Sequence, residues 1–114
     1  MSVGAAGDYS RAVDEQAYSS GFDETSSVLT VRGEIDEVAG VALREDIAKY
    51  TREFSRPIRI DLGGVDYFPS LAVGVVAAAQ RKAGAAGIDI GLVAAEGSVA
   101  QRVLTICGLP HEMS

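Results

Sequence analysis

Residues 58–64 read Ile58-Arg59-Ile60-Asp61-Leu62-Gly63-Gly64, an alternation of apolar and charged side chains that ends in two glycines. Alternation with a period of two is typical of a β-strand that buries one face, and paired glycines end a strand or begin a turn. A run of small and apolar residues, Leu71 to Ala83, follows and predicts a helix that is covered on most of its circumference. Gly84 is the expected left-handed stop of that helix.

The segments before this strand predict two more strands and a helix. Ala17–Phe22 and Val28–Val31 flank a polar turn and are typical of paired antiparallel strands. Asp36 can accept bonds from the free N–H groups of a helix that begins directly after it. That helix is expected over Glu37–Phe54, because apolar residues recur there at helical spacing, namely Leu43, Ile47, Tyr50 and Phe54.

The segments after residue 84 predict a fourth strand and a last helix. Residues 88–94 alternate apolar and polar or small side chains, as a half-buried strand does. Ser98 and Gln101 have the spacing of a capping box, so a helix should start at Ser98 and end at Gly108. Its expected buried stripe contains Val99, Val103 and Ile106, with Cys107 beside it as a buried thiol.

The resulting order is strand, strand, helix, strand, helix, strand, helix. This order predicts an α/β fold with a mixed β-sheet of about four strands and interleaved α-helices. The chain has 114 residues, which suits one domain with one core. We expect a flexible N-terminal tail over residues 1–15, which lack apolar periodicity, and a single domain over residues 16–114.

Charge and hydropathy exclude several classes of partner. The formal net charge is −6 and the basic residues are scattered, so a nucleic-acid partner is not expected. An acidic surface suits a basic protein partner and is also ordinary for solubility. The longest apolar stretch, residues 71–79, is about half as long as a transmembrane helix, so no membrane association is expected. Residues 1–8 lack the features of a secretory signal, which predicts a cytoplasmic protein.

The sequence offers little for catalysis. The one histidine, His111, lies near the C-terminus, where it is poorly placed for a catalytic triad. The glycines at positions 84, 87 and 91 precede and interrupt a strand, whereas a dinucleotide-binding loop follows one. Asp61 and Asp66 flank two glycines, a pattern that favours turn chemistry over magnesium binding. We therefore expect no enzyme activity, no metal and no cofactor.

Three stretches resemble the STAS domain of bacterial anti-sigma factor antagonists. The first two read Val28-Leu29-Thr30-Val31-Arg32-Gly33-Glu34-Ile35-Asp36 and Ile58-Arg59-Ile60-Asp61-Leu62-Gly63-Gly64-Val65-Asp66-Tyr67-Phe68. The third, residues 92–109, is similar to the last strand and helix of that family. The resemblance covers about residues 16–109. It implies a protein that binds an anti-sigma factor of the serine-kinase type and so releases a sigma factor for transcription.

The resemblance also implies a candidate phosphoacceptor. The family carries a serine or threonine, within an Asp-Ser-Ser/Thr-Gly pattern at a helix start, that the anti-sigma kinase phosphorylates. Here the segment reads Pro69-Ser70-Leu71-Ala72. Matching Gly74-Val75 to the family's downstream pair places Leu71 on the usual acceptor and leaves Ser70, one residue earlier, as the candidate.

Two roles for Ser70 stay open from the sequence. A serine ahead of an apolar helix is a preferred N-cap, worth about 1 kcal/mol. A helix N-terminus also tolerates a phosphate, which would add roughly −1.5 to −2 charges and expel a docked partner. A chain without a working acceptor would instead bind its partner constitutively.

The expected partner-binding surface joins two segments that lie next to helix starts at one edge of the sheet. Its residues are Gly33, Glu34, Ile35, Asp36, Tyr67, Phe68, Pro69, Ser70, Leu71, Ala72 and Val73. An alternative function keeps the fold as a sensory module that binds a small ligand or nucleotide. The expected oligomeric state is a monomer or a weak homodimer, the latter if apolar residues near Leu109 are left uncovered.

Overall fold

The computed structural model describes residues 17–113, so the tail predicted over residues 1–15 lies outside the described part of the chain. The elements run in the order β1 (Ser19–Asp23), β2 (Val28–Glu34), α1 (Glu37–Tyr50), β3 (Ile58–Tyr67), α2 (Ser70–Ala86), β4 (Ile90–Ala94), α3 (Val99–Ile106) and β5 (Glu112–Met113). The predicted α/β fold and its element order are confirmed.

The strands form one mixed sheet in sequential order, β1-β2-β3-β4-β5. β1 pairs with β2 in antiparallel fashion, and the other neighbours are parallel. The fifth strand, which pairs Glu112 with Val93 and Met113 with Ala94, was not predicted. Two residues carry no periodicity that a sequence pattern could reveal.

The core lies between one face of the sheet and the three helices. Along β2, β3 and β4 every second side chain is buried, as in Leu29, Ile60 and Leu92, and the side chains between them are exposed or half-buried. Crossovers of one hand between sequential parallel strands place their helices on the same face. The helices fill that face with small and branched residues, including Leu43, Ile47, Ala72, Val76, Ala100 and Leu104.

β3 is longer than predicted, because Gly63-Gly64 continues the strand instead of ending it. The pairing with β2 shifts from Thr30↔Asp61 to Arg32↔Gly64, so β3 holds one extra residue there. The Asp61 carboxylate accepts a hydrogen bond from the Gly63 N–H at 2.9 Å. The glycines therefore form a bulge that the strand accommodates.

α1 ends at Tyr50, four residues before the predicted end. Its last turn is closed by Thr51, whose buried hydroxyl donates to the Ile47 carbonyl at 2.6 Å and accepts from the Phe54 N–H at 3.0 Å. Arg52, Glu53 and Phe54 then adopt positive φ angles of 53°, 57° and 62°. Phe54 still packs against the core, which is why its spacing resembled a helix continuing.

The predicted end of α2 was also wrong. Gly84 lies within the helix, and the left-handed residue that ends it is Gly87, with φ of 80°. A positive φ strains residues with a Cβ, so the later glycine is the natural stop.

α3 starts as predicted but buries a different face. The Gln101 N–H donates to Ser98 Oγ at 3.1 Å, whereas the Gln101 amide oxygen accepts from Gly97, not from Ser98. The buried residues are Ala100 and Leu104, with Val99 and Val103 half-buried beside them. The expectations for Ile106 and Cys107 were wrong, since both are exposed.

Polar and aromatic contacts tie β1 to the end of α1. Tyr18 and Ser20 both donate hydrogen bonds to the Asp46 carboxylate at 2.7 Å. Burial, reinforced by the Asp46 carboxylate, raises the pKa of Tyr18 well above its ordinary value. The Phe22 ring stacks on Tyr50 with centroids 4.6 Å apart. The edge strand is therefore fixed to the helical layer as well as to its neighbour β2.

Candidate partner-binding surface

The two predicted surface segments meet at the carboxyl ends of β2 and β3. These strands are parallel, so their following loops leave the same edge of the sheet. Gly33, whose φ of 88° is unfavourable for other residues, turns the end of β2 toward β3. The Ile35 N–H then donates to the Tyr67 carbonyl at 3.1 Å. The segments that sequence reasoning paired are thus joined by a backbone hydrogen bond.

Asp36 performs the capping role that its position predicted. Its carboxylate accepts a hydrogen bond from the Ala39 N–H at 2.9 Å, at the first turn of α1. The side chain is exposed, so it caps the helix and adds negative charge to the surface.

Ser70 does not cap α2, which corrects one of its two proposed roles. The N-cap residue is Pro69, with an extended backbone and no capping side chain, and Ser70 is the first residue of the helix. The N–H groups of Ala72 and Val73 both donate to the Pro69 carbonyl instead. Ser70 is exposed, so its hydroxyl lies at the helix start without a capping function.

The predicted surface residues differ in what they offer to a partner. Gly33, Ile35, Phe68 and Ala72 are buried, so they shape the surface from below. Glu34, Pro69 and Val73 are half-buried, and the remaining four are exposed, namely Asp36, Tyr67, Ser70 and Leu71.

Two exposed apolar residues of α1 were missed by sequence reasoning. Val38 is 80% exposed and Val41 is 45% exposed, and they lie in the first two turns of α1, at the same end of the domain as Leu71 and Tyr67, which are 38% and 51% exposed. Leu71 packs over Gly40, since a Cβ on Gly40 would lie 2.7 Å from Leu71 Cδ1. We call Val38, Val41, Tyr67 and Leu71 the apolar patch. The available signal was two valines on the helix but outside its buried stripe.

Acidic side chains lie on the same segments as the apolar patch, and we call them the acidic rim. Glu37 and Glu45 border the shallow depression that contains Val38 and Val41. Three more acidic residues lie at the ends of β2 and β3 and directly after β2, namely Glu34, Asp36 and Asp66. Glu34 pairs in register with Tyr67. Exposed apolar side chains with acidic neighbours are the composition of a protein-binding surface, with a preference for a basic partner.

Comparison with known proteins places this geometry in a family. The family model described as Mlab, STAS domain, matches residues 19–112. The chain belongs to the STAS domain family.

Several relatives of this STAS domain are anti-sigma factor antagonists. The anti-sigma-F factor antagonist RsfB of Mycobacterium tuberculosis, in strains CDC 1551 / Oshkosh and ATCC 25618 / H37Rv, is 34% identical over 83 residues. The match covers 73% of this chain and 66% of RsfB, so the chain spans slightly less than two thirds of these relatives.

Solved structures show the same fold. The crystal structure of an anti-sigma factor antagonist from Mycobacterium paratuberculosis has a TM-score of 0.69 and 25% identity, covering 86% of each chain. The anti-sigma factor antagonist SpoIIAA in its unphosphorylated form has a TM-score of 0.61 and 19% identity, covering 86% of this chain and 87% of its own. The second likeness carries the fold alone.

The STAS domain provides no evident metal centre in the part of the chain that the structure describes. Within residues 17–113 no group of three or more His, Cys, Asp or Glu side chains is placed to hold a metal ion. The Asp61 carboxylate accepts a hydrogen bond from the Gly63 N–H within the bulge of β3, where the sequence suggested a turn. None of the described helices has the length and apolar character to cross a membrane.

Proposed function

We propose that this STAS domain is an anti-sigma factor antagonist, which binds an anti-sigma factor in the cytoplasm and thereby releases its sigma factor. The role is one of protein binding without catalysis by the chain itself. The names of its relatives support the class of partner, and the apolar patch with its acidic rim is the observation that carries the proposal.

The apolar patch would supply the contact energy of the complex. Four exposed side chains of this size bury on the order of a few hundred Å² of apolar surface, and each Å² contributes about 25 cal/mol before the costs of association. The acidic rim would speed the encounter with a basic surface and orient it. We expect no nucleic acid or membrane in this interaction.

We further propose that the partner is a kinase-type anti-sigma factor and that Ser70 is the phosphoacceptor. The Ser70 hydroxyl is exposed and free of capping, so phosphorylation would not remove a helix cap. A phosphate there would place about −1.5 to −2 charges beside Leu71, within the apolar patch. Burying an unpaired dianion against a partner is costly, so phosphorylation would dissociate the complex.

The binding proposal is tested by a matched pair of substitutions. Val38→Asp places a charge in the apolar patch, and Ile106→Asp places one at an equally exposed apolar residue on α3, since Val38 is 80% and Ile106 is 83% exposed. Calorimetric titration of candidate anti-sigma kinases should show binding by the wild type and by Ile106→Asp. Val38→Asp should bind at least about tenfold more weakly, a change of 1.4 kcal/mol. Equal affinities for the two variants would overturn the surface assignment.

The phosphoswitch is tested separately with ATP and the kinase that binds. Intact-mass spectrometry should show one added phosphate on the wild type and none on Ser70→Ala. Both proteins should bind the kinase in the absence of ATP. A phosphate retained on Ser70→Ala would move the acceptor to another residue. Binding without any phosphate on the wild type would leave an antagonist that escapes this control.

A further inference from the structure

A second surface feature, a cleft between α1 and α2, is not used by the proposed partner contact. The cleft has a volume of about 300 Å³, which lies at the lower end of the range for small-molecule sites. Its lining is Arg44, Ile47, Ala48, Phe54, Leu71, Gly74, Val75, Ala78, Ala79 and Lys82. Leu71 alone is shared with the apolar patch.

Small side chains keep the cleft open. The helices meet closely at Gly40, where Leu71 lies over the backbone. Farther along α2 the residues that face α1 include Gly74 and Ala78, and a Cβ on Gly74 would meet no atom within 4 Å. The helical layer therefore leaves an unfilled apolar space instead of closing on itself.

Phe54 lines the cleft through an unusual turn. Arg52, Glu53 and Phe54 are three successive non-glycine residues with positive φ, a conformation that is strained for residues with a Cβ. The hydrogen bonds that hold the turn include those from the Phe54 N–H to Thr51 Oγ1 at 3.0 Å and from Arg56 Nε to the Tyr50 carbonyl at 2.7 Å. The chain thus accepts strain where an aromatic side chain is delivered to the cleft.

The charges of the cleft differ in sign from those of the protein. The chain carries −6 overall, yet the charged residues of this lining are Arg44 and Lys82. Both are exposed, and neither belongs to a salt bridge among residues 17–113. Lys82 Nζ lies 5.5 Å from the centroid of the Phe54 ring, so one cation is held directly against the apolar lining.

We infer that the cleft between α1 and α2 binds an amphipathic monocarboxylate, such as a medium-chain fatty acid. The aliphatic chain would lie against Ile47, Val75 and Phe54, and the carboxylate would pair with Arg44 or Lys82. A nucleotide is disfavoured, because the lining offers two separate cations on helix surfaces and no glycine-rich loop at a helix start. This site shares only Leu71 with the proposed anti-sigma contact.

Titration calorimetry of the purified chain tests the ligand class with three probes of equal length. Octanoate should bind with a dissociation constant below about 1 mM, and octan-1-ol and octylamine should bind more weakly. Decanoate should bind on the order of tenfold more tightly than octanoate, since each buried methylene contributes. The inference would be overturned if octanoate and decanoate failed to bind. It would also be overturned if octan-1-ol and octylamine bound as tightly as octanoate.

Matched variants locate the site. Gly74→Leu fills the cleft, whereas Gly84→Leu adds the same side chain to the same helix outside it, and leucine is the better helix former at both positions. Decanoate affinity should fall on the order of tenfold or more in Gly74→Leu and stay unchanged in Gly84→Leu. An unchanged Gly74→Leu would overturn the assignment.

Charge variants separate this ligand from a protein partner. Arg44→Gln with Lys82→Gln should weaken decanoate about five- to tenfold, while Arg81→Gln, outside the lining, should not. Equal affinities in the two backgrounds would overturn the role of the cations. Chemical-shift changes at the cleft with an acidic amphipathic peptide, and none with the carboxylates, would overturn the inference in favour of a docking groove.

Discussion

The start of α2 differs from the starts of α1 and α3. Asp36 accepts a hydrogen bond from the Ala39 N–H at 2.9 Å, and Ser98 accepts one from the Gln101 N–H at 3.1 Å. At α2 the capping position is occupied by Pro69, and the serine lies one residue inside the helix. The chain therefore uses a polar side chain to cap two helices, and at the third helix the hydroxyl of Ser70 makes no capping bond.

The difference shows that α2 is held by its buried side chains. Four of its residues are buried, at a spacing of three or four, and they are Ala72, Val76, Ala79 and Ala83. A cap contributes about 1 kcal/mol, and burial of even one valine contributes more. A helix with this much contact can begin at a residue that serves another purpose.

The largest expected effect concerns α3 and tests which of its faces packs on the core. Leu104→Ala should lower the free energy of unfolding by about 2–5 kcal/mol, because it leaves a cavity beneath α3. Ile106→Ala, at the exposed position predicted to be buried, should change it by less than about 0.5 kcal/mol. Urea denaturation measures both. Comparable losses would mean that α3 packs on the face that the sequence suggested.

Substitutions of the capping residues should change the free energy of unfolding by a smaller amount. Asp36→Ala and Ser98→Ala should each cost about 1 kcal/mol of unfolding free energy, because a first-turn N–H loses its acceptor. Ser70→Ala should cost no more than about 0.3 kcal/mol, since alanine is at least as good inside a helix. A loss of about 1 kcal/mol in Ser70→Ala would restore the capping role and erase the contrast.

The smallest effect comes from supplying α2 with the cap it lacks. Pro69→Asp should raise stability by no more than about 0.5 kcal/mol, because a capping carboxylate gains about 1 kcal/mol and loss of proline gives back about half of it. Pro69→Ala is the control and should be less stable than both proteins by thermal unfolding. A Pro69→Asp protein no more stable than Pro69→Ala would show that the helix start cannot accept a side-chain cap.

The sequence predicted those features that depend on local signals. The alternation over residues 58–62 and the Asp36 and Ser98 caps each involve a few neighbouring residues, and all three were correct. The pairing of the two loops was also predictable, because parallel strands end at the same edge of a sheet.

Features that depend on small differences in tertiary contact were not predictable. Ser70 could cap the helix or begin it, and the two readings differ by one residue. On α3 the buried residues are Ala100 and Leu104, whereas Ile106 is exposed although isoleucine is more apolar than alanine. The position of Val38 outside the buried stripe of α1 indicates its exposure, whereas the exposure of Leu71 depends on how α2 meets α1 at Gly40.

The sheet buries only one face, and this sets how freely its sequence can change. Core contacts constrain alternate residues of each strand, such as Leu29 and Val31 in β2. The residues between them meet solvent, so substitutions should be tolerated at every second position along the strands.

One glycine on the open face is an exception to that pattern. A Cβ on Gly64 would lie 3.0 Å from Arg32 Cγ, a tighter contact than most Cβ atoms make. Gly64 therefore makes room for the stem of an arginine on the neighbouring strand. Over evolutionary time, a change at Gly64 should be accompanied by a change at Arg32, so these two positions should vary as a pair where the rest of this face varies residue by residue.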